Sequence, residues 1–195
     1  VDYVKIIDAD MDEKHVIPTP PNKKVSQITS FKEQLVIAFI EGNCLYYDLH
    51  TGTSRNMEEL PEKVSIFTLY TGTQDILWIG TDGKGIIQLY QDYSSFSRVK
   101  TDFPVRSFNK DENGEMLIGT KGEGILKLEI GTNKAIEYAS TSEGLISNLI
   151  YSMAKNKDGD IFVGTEEYGI NIIRKDGQVH YCIEKRIYNN PYRPG

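Results

Sequence analysis

Little in this sequence marks a metalloprotein, a nucleic-acid binder or a membrane-spanning helix. Its 195 residues include two cysteines, three histidines and one tryptophan. Cys44 and Cys182 lie so far apart that a bridge would cross several repeats, so both are read as small buried side chains. That reading leaves the redox compartment open. His15, His50 and His180 are scattered and have no partner at metal-ligand spacing, so no metal or other cofactor is expected. The 22 lysines and arginines are dispersed among 28 acidic residues, for a net charge of −6. The basic face that a nucleic acid or an anionic membrane surface requires is therefore missing. No apolar run approaches the ~20 residues of a membrane-crossing helix. There is no secretory leader, and the chain opens on Val1 rather than Met, which suggests a processed or excised piece of a longer protein.

What is present is a repeat. The segment Ile76-Leu77-Trp78-Ile79-Gly80-Thr81-Asp82-Gly83-Lys84-Gly85-Ile86 returns as Met116-Leu117-Ile118-Gly119-Thr120-Lys121-Gly122-Glu123-Gly124-Ile125. It returns again as Ile161-Phe162-Val163-Gly164-Thr165-Glu166-Glu167-Tyr168-Gly169-Ile170, and a worn copy stands at Leu35-Val36-Ile37-Ala38-Phe39. The aligned residues Ala38, Gly80, Gly119 and Gly164 are 42, 39 and 45 residues apart. Short strands, no helix and a period near forty predict the blades of a β-propeller.

Each unit divides into four strands. Val105–Asn109 and Leu149–Ala154 are predicted innermost strands, followed by turns at Asp111-Glu112-Asn113-Gly114 and Lys157-Asp158-Gly159, whose glycines suit positive φ. The second strand is the apolar run ending at Gly119 or Gly164, expected to be covered on both faces. The third begins at Gly124 or Gly169. The fourth, near Ala135–Tyr138 and Gln178–Tyr181, is short and polar, as an exposed rim should be. In the Gly-Thr pair, glycine is expected to let the backbone turn where inner strands converge, and the threonine hydroxyl to bond the following turn. The first unit has Ala38-Phe39 there and Asn43 in place of Gly85; asparagine tolerates a left-handed conformation. Tyr3–Asp8 and His15–Ile17 resemble a third and a fourth strand.

The expected class is all-β: a propeller of four-stranded antiparallel blades, forming a partial wheel of about four blades and a half. Residues 1–17 would be the outer half of one blade, 25–57, 64–100, 105–138 and 149–182 successive blades, and 183–195 the start of another or a tail.

Several chemical look-alikes dissolve on this scaffold. Gly80-x-x-Gly83-x-Gly85 and its copy lead into strands, whereas a phosphate loop needs a helix N-terminus behind it. Asn109-x-Asp111-x-Asn113-Gly114 imitates the start of a calcium loop, but Thr120 stands where the closing acidic residue belongs. Glu166-Glu167 reads as a solvated hairpin tip rather than an acid–base pair. Trp78 reads as core. No nucleophile–base set emerges, so no catalytic residue is assigned.

The innermost strand, Asp-x-x-Gly and Leu-Trp-Ile-Gly-Thr followed by Gly-Ile resemble the repeats of two-component regulator propellers. These form the periplasmic sensor regions of Bacteroidetes-type hybrid two-component histidine kinases. The likeness rests on Leu77–Thr81 with Gly85, Leu117–Thr120 with Gly124, and Asp158-Gly159 through Thr165 with Gly169, and covers residues 25 to about 182. It implies a wheel of about seven blades followed by a β-sandwich, a membrane helix and a cytoplasmic kinase. It also implies glycan recognition, control of polysaccharide-utilisation genes and a homodimeric parent protein. No kinase element occurs in this chain.

A ligand would be held by loops on one face of the wheel. The fourth unit is distinctive there, because Glu167 and Tyr168 follow Glu166 where other units keep Gly83 or Gly122. The expected binding surface comprises Tyr168, Glu166, Glu167 and Asn148, with Asp82 and Lys121 from neighbouring blades. The leading expectation is an oligosaccharide-sensing segment without catalysis of its own. The alternatives are a propeller lyase or hydrolase, and a protein-interaction scaffold.

Overall fold

The computed structural model describes residues 3–58, 60, 64–72, 75–90, 96–129, 132–166 and 168–182. Residues 183–195 and Glu167 lie outside them, as does the Cys182 side chain. Alternating short apolar strands and tight turns give four four-stranded antiparallel sheets and one two-stranded sheet.

The two-stranded sheet pairs β1 (Tyr3–Ile7) with β2 (Glu13–Pro18). The first full blade is β3 (Val25–Phe31), β4 (Gln34–Phe39), β5 (Cys44–Asp48) and β6 (Ser54–Asn56). The second is β7 (Ile66–Thr71), β8 (Leu77–Thr81), β9 (Ile86–Leu89) and β10 (Phe96–Val99). The third is β11 (Val105–Lys110), β12 (Met116–Thr120), β13 (Ile125–Glu129) and β14 (Lys134–Ala139). The fourth is β15 (Ile150–Lys155), β16 (Ile161–Thr165), β17 (Ile170–Ile173) and β18 (Val179–Cys182). Every sheet runs in sequence order, and neighbouring inner strands, β3 to β7, β7 to β11 and β11 to β15, lie against one another. This is the propeller architecture.

The apolar runs are buried as predicted. Between the first and second blades, Val36, Ala38, Tyr46, Ile66, Leu69, Ile79 and Ile87 form one core. Between the second and third, Trp78 packs with Phe108, Val105 and Ile118, its ring centroid 6.3 Å from that of Phe108. Leu117, Ile125, Ile150 and Val163 fill the next interface. Ile17 on β2 seals the far side of the first blade against Ile37, Phe39 and Tyr47. Cys44 is buried and unpaired, and burial pushes its thiol up to about 12.

The role of the glycine before threonine differs from the expectation. Gly80, Gly119 and Gly164 are not in the positive-φ region, so no turn requires them. Glycine is needed for space. A Cβ on Gly80 would stand 2.7 Å from Val105 Cγ1, and one on Gly119 would stand 2.8 Å from Ile150 Cγ2. The next blade's first inner-strand residue presses onto this bare backbone, which allows close packing of the sheets. In the first blade Ala38 faces Gln27 instead of a Thr or Ser. The Gln27 amide accepts from Leu69 N–H at 2.8 Å and donates to Leu69 O at 3.1 Å, clasping the next inner strand.

The threonine behaves as expected. Thr81, Thr120 and Thr165 donate through Oγ1 to the carbonyls of Gly85, Gly124 and Gly169 at 2.6, 2.9 and 2.9 Å. Each also accepts a backbone N–H from inside the loop. Asn43 replaces the closing glycine with φ 82°, close to the 76° of Gly85 and 72° of Gly124.

All four inner strands carry the same irregularity. One residue is extruded from the ladder between Val25 and Gln27, Ile66 and Thr68, Val105 and Ser107, and Ile150 and Ser152. The extra residues are Ser26, Phe67, Arg106 and Tyr151. Such bulges re-aim a side chain without ending the strand.

Candidate functional site

The loops joining second and third strands share one face with the connections into the inner strands, because a backbone bond fastens them together. Ile40, Asp82, Lys121 and Glu166 donate their N–H to the carbonyls of Lys24, Ser65, Pro104 and Leu149, at 2.9, 3.0, 2.9 and 3.0 Å. Asp82, Lys121 and Glu166 therefore occupy one structural position in three successive blades. Lys121 and Glu166 meet across the boundary, with Nζ 3.3 Å from Oε1. Both are well exposed, so the pair contributes at most about 1 kcal/mol.

Tyr168 is 56% exposed on the loop tip, and its N–H is anchored to Thr165 Oγ1 at 3.3 Å. An open aromatic face on a rigid hairpin suits stacking on a sugar ring. Asp82 is also exposed. Asn148 does different work. Its Oδ1 accepts from Thr141 N–H at 2.8 Å, and its carbonyl accepts from Gly122 and Gly124 at 3.0 and 3.1 Å. These bonds brace the third blade's loop and a 3-10 turn at Thr141–Glu143 capped by Ser140.

The same face carries a titratable group that motif reading missed. Glu123, at the position of Tyr168, has its carboxyl held above the usual range by burial, with Asp102 and Glu137 adding to the effect. Glu143 is shifted the opposite way by hydrogen bonds from Ser140 and Ser142. Nothing in residue spacing announced Glu123, since Asp102 and Glu137 approach it only through the fold.

The opposite face is built of turns. Asp111 Oδ1 accepts from the N–H groups of Asn113 and Glu115, both at 2.9 Å. Asn156 performs the same task for Asp158 and Asp160. The calcium look-alike is thus a side-chain-closed turn. Two surface hollows adjoin the third and fourth blades. One is lined by Glu112, Asp160 and Arg174 among others, the second by Tyr138, Ile173 and Val179 among others. Among the described residues, none of those expected in the site lines either.

Residues 144–167, which include β15 and β16, match the family described as Two component regulator propeller. That stretch, the first two strands of the fourth blade and the connection into them, is similar to a two-component regulator propeller repeat. No curated protein matches the chain. Among solved structures, it is similar to the extracellular domain of a B. thetaiotaomicron protein named as a hybrid two component system. The TM-score is 0.72 at 22% identity, covering 92% of this chain and 24% of that one. A second such domain from B. thetaiotaomicron gives 0.68 at 18% identity, covering 87% of this chain and 25% of that one. Virginiamycin B lyase from Staphylococcus aureus gives 0.75 at 14% identity, over 95% of this chain and 64% of that one. The chain thus spans about a quarter of the sensor domains it resembles, and at these identities the likeness establishes the fold.

Proposed function

We propose that this chain is a ligand-sensing propeller segment of a hybrid two-component sensor, lying in the periplasm and recognising an oligosaccharide. The observation that carries the reading is the regulator-propeller match over residues 144–167, supported by sensor-domain neighbours that share the fold. The parent protein is a histidine kinase that works as a homodimer and controls polysaccharide-utilisation genes. Ligand binding alters how this segment sits against the remainder of the same chain. The segment itself is non-catalytic and takes no cofactor.

Tyr168 supplies the stacking surface in this reading, with Asp82, Lys121, Glu166 and Glu167 as hydrogen-bonding groups and Asn148 as a brace beneath them. Calorimetry against a panel of oligosaccharides tests it. Tyr168→Ala should weaken binding at least about tenfold, the loss of one stacking contact and its ordered hydrogen bonds, with an unchanged melting temperature. Equal affinity for both proteins discards the site.

The lyase-like fold raises a second reading, an enzyme working near the inner strands. Two of the polar side chains there are engaged in structure: Lys155 Nζ donates to Asp111 O at 2.9 Å, and Asn109 Oδ1 accepts from Lys110 N–H at 2.8 Å. Product analysis of the same calorimetry mixtures decides between them, and bond cleavage would favour the enzyme.

A further inference from the structure

The four bulges deliver one side chain per blade to the same place on the inner strand. That strand ends each sheet's order, so one of its edges carries no ladder partner. At this place the chain sets Ser26, Phe67, Arg106 and Tyr151 in succession. The second and third meet across the blade boundary, with the Arg106 guanidinium carbon 3.7 Å from the centre of the Phe67 ring. A guanidinium stacked in this way is held flat and loses little further freedom when it binds.

Arg106 makes no ion pair with any described residue, and its buried Nε has no hydrogen-bond partner among them. This is unusual in a chain of net charge −6, where carboxylates are plentiful. One blade further on, Tyr151 is 59% exposed. The flanking positions, by contrast, are committed to packing: Val105 and Ile150 are buried against the glycines of preceding blades.

We propose that Arg106, stacked on Phe67 and with Tyr151 at the equivalent bulge one blade further on, is an oxyanion-binding subsite on the inner edge of the wheel, taking the carboxylate of an acidic sugar. The two terminal Nη groups, which no described residue engages, match a carboxylate in bidentate fashion. Tyr151 offers the sugar ring an aromatic face. This subsite rests on the oligosaccharide reading above and narrows it to acidic chains, at a place distinct from the Tyr168 loop tip.

The test uses the 195-residue chain and three probes: trigalacturonic acid, its methyl ester, and a sulfated disaccharide. Calorimetry should show the acid binding at least about tenfold tighter than the ester, the weight of a charge-assisted bidentate contact. Arg106→Gln should abolish that preference while leaving the melting temperature in place, and Tyr151→Ala should weaken acid and ester alike. Tyr168→Ala should leave the acid-over-ester ratio unchanged. Sulfated disaccharide binding as tightly as the acid, with the same dependence on Arg106, would assign the oxyanion to sulfate rather than carboxylate and overturn the carboxylate assignment. Equal affinity for acid and ester, or a preference that survives Arg106→Gln, overturns the subsite while the sensor reading stands. Failure of all three probes, with neutral members of the panel still binding, has the same meaning. Failure of every saccharide removes both.

Discussion

At the scale of single residues, the informative positions are those where a side chain is missing. Gly119 has ordinary backbone angles, yet a Cβ there would run into Ser107 and Ile150. Gly119→Ala should cost about 1–3 kcal/mol, the range for overpacking a close interface, read as a lower urea midpoint. Gly83→Ala is the contrast. Nothing lies within 4 Å of a Cβ there and φ is +71°, so its penalty is left-handed strain alone, about 1 kcal/mol. If the two substitutions cost the same, the space argument fails. Cys44 gives a second test. With its thiol pushed up to about 12, almost no thiolate exists at pH 8. A disulfide-exchange reagent should react with it only at the rate of unfolding, and a burst of native-state labelling at this residue would contradict the burial.

At the scale of the element, the hairpin loops decide stability and carry charge. Thr120 is fully buried, donates to Gly124 O and accepts from Glu123 N–H. Thr120→Val keeps the shape but orphans both partners, so it should cost about 1–3 kcal/mol in denaturant titrations. Glu123 supplies a pH-dependent prediction. Its folded-state affinity for protons is raised, so ionising it costs the fold stability at neutral pH, and that cost fades as pH falls through the raised value. Glu123→Gln should therefore raise the melting temperature at pH 7, and the gain should shrink towards pH 4. Asp160 works in the opposite sense. Arg174 donates to its carboxylate at 2.6 Å and holds it low, so its contribution is present at neutral pH and lost as pH drops through the lowered value. Much of this level was legible in the letters. The Gly-Thr punctuation located the second strands, and the Asp-x-x-Gly runs located their preceding turns. What was not legible is the bulge in each inner strand, because one unpaired residue leaves the apolar pattern around it intact. The purpose of the glycine was misjudged for a related reason: the side chains that exclude a Cβ come from elsewhere in the sequence, Ser107 on the same blade's inner strand and Ile150 on the next blade, about thirty residues downstream of Gly119.

At the scale of the whole molecule, stability is passed from blade to neighbouring blade, as in other repeat arrays. The hairpin β1–β2 packs on the first full blade, where Ile17 is fully buried and His15 Nδ1 stands 2.9 Å from the Tyr47 hydroxyl. Ile17→Ala should cost about 2–5 kcal/mol, and hydrogen exchange should show the loss first in β4 and β5. In the fourth blade Phe162 and Ile170 are 37% and 46% exposed, whereas their counterparts Leu117 and Ile125 in the third are fully buried. Exchange in β16 and β17 should accordingly outpace that in β8, β9, β12 and β13, and uniform protection across the blades would speak against end-to-centre layering. The extruded residue in each inner strand has a broader meaning at this scale. On either side of it, the mould of the neighbouring blade dictates Val or Ile before, and mostly Ser or Thr after, while the extra residue answers to no mould, and serine, phenylalanine, arginine and tyrosine all stand there. The described arc of blades therefore carries a row of four interchangeable pegs along its inner edge, and swapping a peg should change the chemistry of that edge while the spokes stay as they are.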